Sequence, residues 1–207
     1  MLLTNFYPEL QATLETIHQQ KPSLERRAVI ELIGEACAKA DDKAGLHLNF
    51  ICTHNSRRSQ LSQIWSACLA DLHGWSHWEH HSAGTEATAF HPNAIQALTD
   101  DGFHIIEIEK GSNPKYRVQW REDHPGIICF SKTIGEALPP ETPFMALMTC
   151  GDADENCPFI PEAIARLPFR FKDPKVSDGT PEQAQTYRER SRQIAVELNY
   201  LYQNLKK

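Results

Sequence analysis

Apolar residues recur along this chain at different periods, and each period implies an element. Phe6, Leu10, Leu14 and Ile17 follow helical spacing until Lys21-Pro22-Ser23 interrupts them. Leu24, Val29, Ile30, Ile33, Ala36 and Cys37 then form the wide apolar face of a second helix, with Ser23 placed to cap it. A loop through Asp41 and Gly45 follows. From Leu46 the period drops to two: Leu46, Leu48 and Phe50 alternate with His47, Asn49 and Ile51, as in a strand. After Ser59 the helical period returns, with Leu61, Ile64, Trp65, Cys68 and Leu72 on one face and Gly74 closing it.

The remainder reads in the same way. Residues 78–82 predict a strand, and residues 92–98 a helix with Pro92 in its first turn. Between 104 and 132, HIIEIE, KYRVQW and GIICFSK predict two or three strands with a hairpin. FMALM, ending just before Thr149 and Cys150, is a continuous apolar run suited to a buried parallel strand. Residues 167–171 predict another strand. Tyr187, Ile194, Leu198, Leu201 and Leu205 make the buried stripe of a last helix over about 181–205. Strands that alternate with helices predict an α/β fold with a parallel sheet of about four strands, helices on both faces and a site at the strands' C-terminal ends. Residues 1–44 form a helical extension to a main domain over 45–207.

Composition narrows the function. The 207 residues, 41% of them hydrophobic, suffice for one domain with a proper core. A net charge of −6 argues against a nucleic-acid binder. The chain has no apolar run of about 18 residues, so no membrane span is expected, and its first residues lack the features of a secretion signal. Six cysteines at irregular spacings do not resemble a secreted disulfide framework; they suit a reducing cytoplasm.

The densest chemistry lies in CTHNSRRS, Cys52 to Ser59, between the first strand and the next helix. A loop there turns its backbone N–H groups inward, and the helix N-terminus adds positive charge, so a tetrahedral oxyanion is held. Arg58 supplies a planar fork for two of its oxygens. Cys52 lies under the bound central atom, where the same donors favour the nucleophilic thiolate. This C-x5-R-S, with Asn55 third in the loop, resembles the phosphate loop of the low-molecular-weight protein tyrosine phosphatases and of the thioredoxin-coupled arsenate reductases that share their fold. The resemblance spans residues 46–207 and implies a three-layer sandwich. It further implies substrate binding by Thr53, His54, Asn55, Ser56, Arg57, Arg58 and Ser59, with Cys52 as nucleophile. Ser82-Ala-Gly-Thr85 is similar to the turn beside the loop in that superfamily.

Two further segments match. Cys150-Gly-Asp-Ala-Asp-Glu-Asn-Cys157-Pro158 resembles the redox segment of the arsenate reductases, where it carries the second and third active cysteines. Two cysteines with no nearby histidine are too few for a zinc site. The residues sixth and twelfth from Asp152, Cys157 and Ala163, do not suit a calcium loop. Inert core cysteines are the remaining alternative. Asp173-Pro174 matches the general acid of both related families, which implies that Asp173 protonates the leaving oxygen.

Two enzymes therefore compete. The arsenate reductase would reduce arsenate through Cys52, Cys150 and Cys157 and pass the disulfide to thioredoxin. The tyrosine phosphatase would hydrolyse a phosphate ester with Cys52, Arg58 and Asp173 alone. A third alternative, an inactive phosphate-sensing module, fits poorly with an intact Cys-Arg-Asp set. The cysteine segment favours the reductase. Three positions depart from the pattern: Arg57 stands where both families commonly carry a second cysteine, His54 where the reductases usually have Gly, and Gln63 where some reductases use Glu to hold potassium. No cofactor is expected. No metal site is expected from His77, His80 and His81 either, because alternation along a strand scatters such rings to opposite faces. Arg166, Arg170, Lys172 and Lys175 read as a solvated rim that attracts anions.

Overall fold

The computed structural model describes residues 5–41, 45–151, 153 and 160–205. In chain order these form α1 (Pro8–Gln19), α2 (Leu24–Ala40), β1 (His47–Cys52), α3 (Arg58–His73), β2 (Glu79–Gly84), α4 (Pro92–Asp100), β3 (His104–Glu109), β4 (Lys115–Gln119), β5 (Ile127–Cys129), α5 (Ile134–Ala137), β6 (Phe144–Met148), β7 (Ala163–Pro168), a 3-10 turn (Pro174–Ser177) and α6 (Gln183–Asn204). Among these residues no helix is long and apolar enough to cross a membrane.

Local chemistry sets the helix ends. Ser23 caps α2 by accepting the Arg26 N–H at 3.3 Å. Pro8 and Pro92 open α1 and α4, where a missing N–H costs nothing. Gly74 ends α3 in the left-handed conformation, at φ 77°.

The main sheet is wholly parallel, in the order β2-β1-β6-β7. Chain connections therefore leave β1 toward β2 on one side, while β6 and β7 lie on the other. The crevice beyond the C-terminal ends of β1 and β6 is a topological switch point, where α/β sheets bind ligands. One face of the sheet presents Leu48, Phe50, Met145 and Leu147 to the large core shared with α1, α2, α3, α4 and α6. The other presents Ile51, Ala83, Ala146 and Met148 to a smaller cluster that includes Ile134 and Ala137 of α5. The larger core is pinned by Trp65, fully buried, whose indole N–H donates to Ser191 Oγ of α6 at 2.8 Å.

The segment between 104 and 132 is a separate antiparallel sheet, in the order β3-β4-β5. The strand expected at 167–171 runs instead over Ala163–Pro168. Most of β7 is only half buried, and Arg166 sits within it, so apolar alternation does not mark its start. Its ladder continues past the strand: Phe169 N donates to Met148 O at 2.9 Å and Phe171 N to Thr149 O at 3.1 Å.

Candidate active site

The loop from Cys52 to Arg57 leaves β1 and enters α3, and its carbonyls all accept hydrogen bonds from the surrounding chain. Cys52 O accepts Thr85 N, Thr53 O accepts Glu86 N, Ser56 O accepts His91 N and Arg57 O accepts Leu61 N, at 2.8–3.2 Å. His54 O accepts the hydroxyls of Ser131 and Thr88, and Asn55 O accepts the Gln60 amide. Among the described residues, no backbone N–H from Thr53 to Arg58 donates to a protein partner. Carbonyls held outward leave the N–H groups for the loop's interior, the arrangement that cradles an oxyanion. Helix α3 adds to it, because it starts with no side-chain cap and no acidic residue in its first turn.

Asn55 holds this shape. It is fully buried and takes φ 44°, a left-handed conformation that Asn tolerates better than most side chains. Its Oδ1 accepts Lys132 N at 2.8 Å and Gln60 Nε2 at 3.1 Å. Its Nδ2 therefore points the other way and donates to Ser59 Oγ at 2.9 Å. Ser59 Oγ in turn lies 3.1 Å from Cys52 Sγ, so the two side chains share a hydrogen bond. Below the loop, Gly84 of the SAGT turn has no room for a side chain: a Cβ would lie 2.6 Å from Thr53 O and 2.7 Å from Asn55 N.

The two loop arginines diverge. Arg58 donates to Phe171 O at 3.0 Å and to Asp173 Oδ2 at 2.6 Å, which brings two sequence-nominated residues together at the loop's mouth. Arg57 turns away. Its Nε donates to Tyr187 Oη at 2.8 Å and its guanidinium lies 3.4 Å from Asp178, which also accepts the Tyr187 hydroxyl. His91 stacks on the Tyr187 ring, and burial with the Arg57 charge lowers its pKa. Arg57, nominated with the loop for substrate binding, thus has its guanidinium engaged outside the loop. The His54 side chain, half exposed, faces Glu86 at 3.7 Å.

Cys150 is fully buried one residue beyond Thr149, at the end of β6. Its sulfur lies 3.6 Å from Thr53 Oγ1 and accepts Ala153 N at 3.3 Å. Cys157 lies outside the described residues. The other thiols are chemically remote. Burial pushes Cys37 and Cys129 up to about 12, and Cys68 well above its ordinary value. In the cationic rim Arg170, Lys172 and Lys175 are exposed, whereas Arg166 is half buried and donates to Ala153 O at 3.1 Å.

Gln63 does not suit a potassium ion. Its Nε2 donates to His80 O at 3.0 Å, and its Oε1, the atom a cation would use, already accepts the Ser82 hydroxyl at 2.6 Å. Gln60, Thr88, Ser131, Asp178 and Tyr187 all shape this site, and no local motif in the sequence marks them.

No family model matches the chain. An arsenate reductase from Halalkalibacterium halodurans is 30% identical over 135 residues, 65% of this chain and 78% of that protein. One from Bacillus licheniformis is 28% identical over 146 residues, 69% of this chain and 84% of that protein. A low molecular weight phosphotyrosine phosphatase from Vibrio cholerae O395 has the same fold at 16% identity, with a TM-score of 0.51 over 76% of this chain and 94% of that one. By this kinship the chain belongs to the arsenate reductase family, on the fold it shares with that phosphatase.

Proposed function

We propose that the protein reduces arsenate to arsenite with thioredoxin as electron donor. The observation that carries this reading over ester hydrolysis is the Cys150 sulfur, 3.6 Å from Thr53 Oγ1 and so beside the residue that follows the nucleophile. The last β1–β6 pair is Ile51 with Met148, so the register carried forward sets Cys150 diagonally across from Cys52. A strand spacing of ~4.8 Å and a rise of ~3.3 Å put such a diagonal within the ~4.4–6.8 Å Cα separation a disulfide needs.

The chemistry follows from the groups present. Arsenate occupies the loop under its N–H groups and the Arg58 fork. The Cys52 thiolate attacks arsenic, and Asp173 protonates the departing hydroxide to water. The Cys150 thiolate attacks Cys52 Sγ; the sulfur–arsenic bond breaks, its electron pair stays on arsenic, and arsenite leaves. Two thiols have lost two electrons, and As(V) has become As(III). Cys157 then attacks Cys150 Sγ, frees Cys52 and leaves a Cys150–Cys157 disulfide for thioredoxin to reduce.

The test is thioredoxin-coupled turnover beside hydrolysis of an aryl phosphate, in wild type, Cys150→Ser and Cys157→Ser. Both variants should lose arsenate turnover and keep hydrolysis. Cys157→Ser should release one equivalent of arsenite and strand a Cys52–Cys150 disulfide, seen in non-reducing peptide maps. If arsenate produces no disulfide in the wild type while the ester is hydrolysed, the protein is a phosphatase.

A further inference from the structure

We propose that His47, Glu79 and His81 form a binding site for one divalent transition-metal ion, with zinc the best fit, at the end of the sheet opposite the oxyanion loop. Sequence order separates these residues, but sheet register joins them. His47 pairs with Glu79 and Asn49 with His81 across parallel strands β1 and β2, so all four lie on one sheet face. His80 lies on the other face, where its Nδ1 is within 3.0 Å of Ser66 Oγ. Alternation does scatter the histidines of HWEHH, but the neighbouring strand supplies His81 with a partner.

The distances suit a metal. His47 Nδ1 lies 3.2 Å from His81 Nε2, and Glu79 Oε2 closes the triangle at 3.6 Å from each nitrogen. Ligand atoms ~2.0–2.1 Å from a tetrahedral zinc are about 3.3–3.4 Å apart, so this triangle is close to one face of that tetrahedron. A hydrogen bond between the two imidazoles accounts for the 3.2 Å contact alone. It does not account for a carboxylate equidistant from both rings. Two imidazoles and one carboxylate are a donor set for zinc, with the fourth position left to water.

The surroundings supply support and access. The Ala137 backbone hydrogen-bonds the His81 ring, the kind of outer contact that orients a metal-ligating imidazole. Asn49, next to His47 along β1 on the same face, is fully buried, and neither its amide oxygen nor its nitrogen has a partner. Such an orphaned amide can bond a metal-bound water. Glu79 and His81 also line a cleft of about 350 Å³, bordered by Trp120, His124 and Ile128, through which an ion can arrive. Lys132 acts electrostatically on His81 and opposes a cation, so the Glu79 charge is needed. Binding takes the place of the hydrogen bond between the two imidazoles: the proton on that bond moves to the other nitrogen of its own ring, and each ring ligates as a neutral donor.

The experiment titrates zinc, and cobalt as a spectroscopic probe, into chelator-stripped full-length protein. The same titration is run on Cys52→Ser/Cys157→Ser, to remove thiol chelation, and on His47→Gln, Glu79→Gln and His81→Gln. The expected result is one equivalent bound in the wild type and in the cysteine variant, with visible absorption of four-coordinate cobalt. Each triad variant should bind at least about tenfold more weakly, a lower bound set by losses from outer-shell substitutions. Glu79 is exposed, so Glu79→Gln keeps the fold and separates metal loss from unfolding. Zinc should raise the melting temperature of the wild type but not of Glu79→Gln. Retained stoichiometry and affinity in all three triad variants, or loss of binding in the cysteine variant alone, would overturn the proposal.

Discussion

Arg58 and Asp173 meet across 2.6 Å at the mouth of the oxyanion loop, so the fork that would grip substrate is held by the group that would protonate its leaving oxygen. Asp173 is fixed from its other side too, where Oδ1 accepts Lys175 N at 3.0 Å. An arriving oxyanion must therefore compete with this carboxylate. In Asp173→Asn the competitor is neutral. Oxyanion binding should tighten while the chemical step slows on the order of 10²–10⁴-fold, as for loss of a general acid. Inhibition by phosphate and pre-steady-state rates read the two effects separately. Weaker phosphate binding in the variant would contradict the competition.

The two arginines should respond unequally to lysine. Arg58→Lys removes a fork that a point charge cannot replace, and loss of one oxyanion donor typically costs about 10²–10³ in rate. Arg57 is spent on Tyr187 and Asp178 outside the loop. Arg57→Lys should lower melting temperature slightly and change kcat/KM by less than about threefold, within the ~1 kcal/mol of a partly exposed ion pair. Steady-state kinetics on both variants decide it; the opposite ranking would place Arg57 on the substrate.

Gly84→Ala should damage the loop without touching a functional group. The added Cβ would sit 2.4 Å from Glu86 O as well as against Thr53 and Asn55. All three are backbone atoms of tight turns and cannot rotate away. Overpacking of this kind typically costs ~1–3 kcal/mol. Oxyanion affinity should fall more than stability does, as read by calorimetry with phosphate beside thermal unfolding.

Alkylation should sort the thiols. At pH 8 a thiol pushed up to about 12, as at Cys37 and Cys129, exposes only about one thiolate in ten thousand. Iodoacetamide should therefore label Cys52 in native protein and leave Cys37, Cys68 and Cys129 unmodified until denaturant is added. Mass spectrometry of the labelled peptides checks this. Early labelling of Cys129 would mean that β5 opens.

The strand–loop–helix geometry of the candidate loop is legible because its parts are contiguous: a strand, CTHNSRRS and a helix leave little room for other arrangements. Caps were legible for the same reason, as Ser23, Pro92 and Gly74 each act within one turn. Contacts between distant segments were not. Arg57 finds Tyr187 across 130 positions, and His54 O finds Ser131 across 77. His47 meets His81 only through strand register. The start of β7 was missed because a half-buried strand with arginine inside carries no apolar alternation.

The placement of α6 has a consequence for how the chain acquires its structure. Helices α1 and α2 lead the sequence, yet they share their core with the last helix, and Arg26 of α2 bonds Glu197 of α6 over a separation of 171 residues. During synthesis their apolar faces wait, without that partner, until nearly the whole chain has been made. Closing contacts of such range is slow, and uncovered apolar surface invites association meanwhile. Nascent chains arrested before residue 183 should accordingly be cleaved by protease within α1 and α2, whereas full-length chains resist. Protection in the arrested chains would show that the leading helices find shelter without α6.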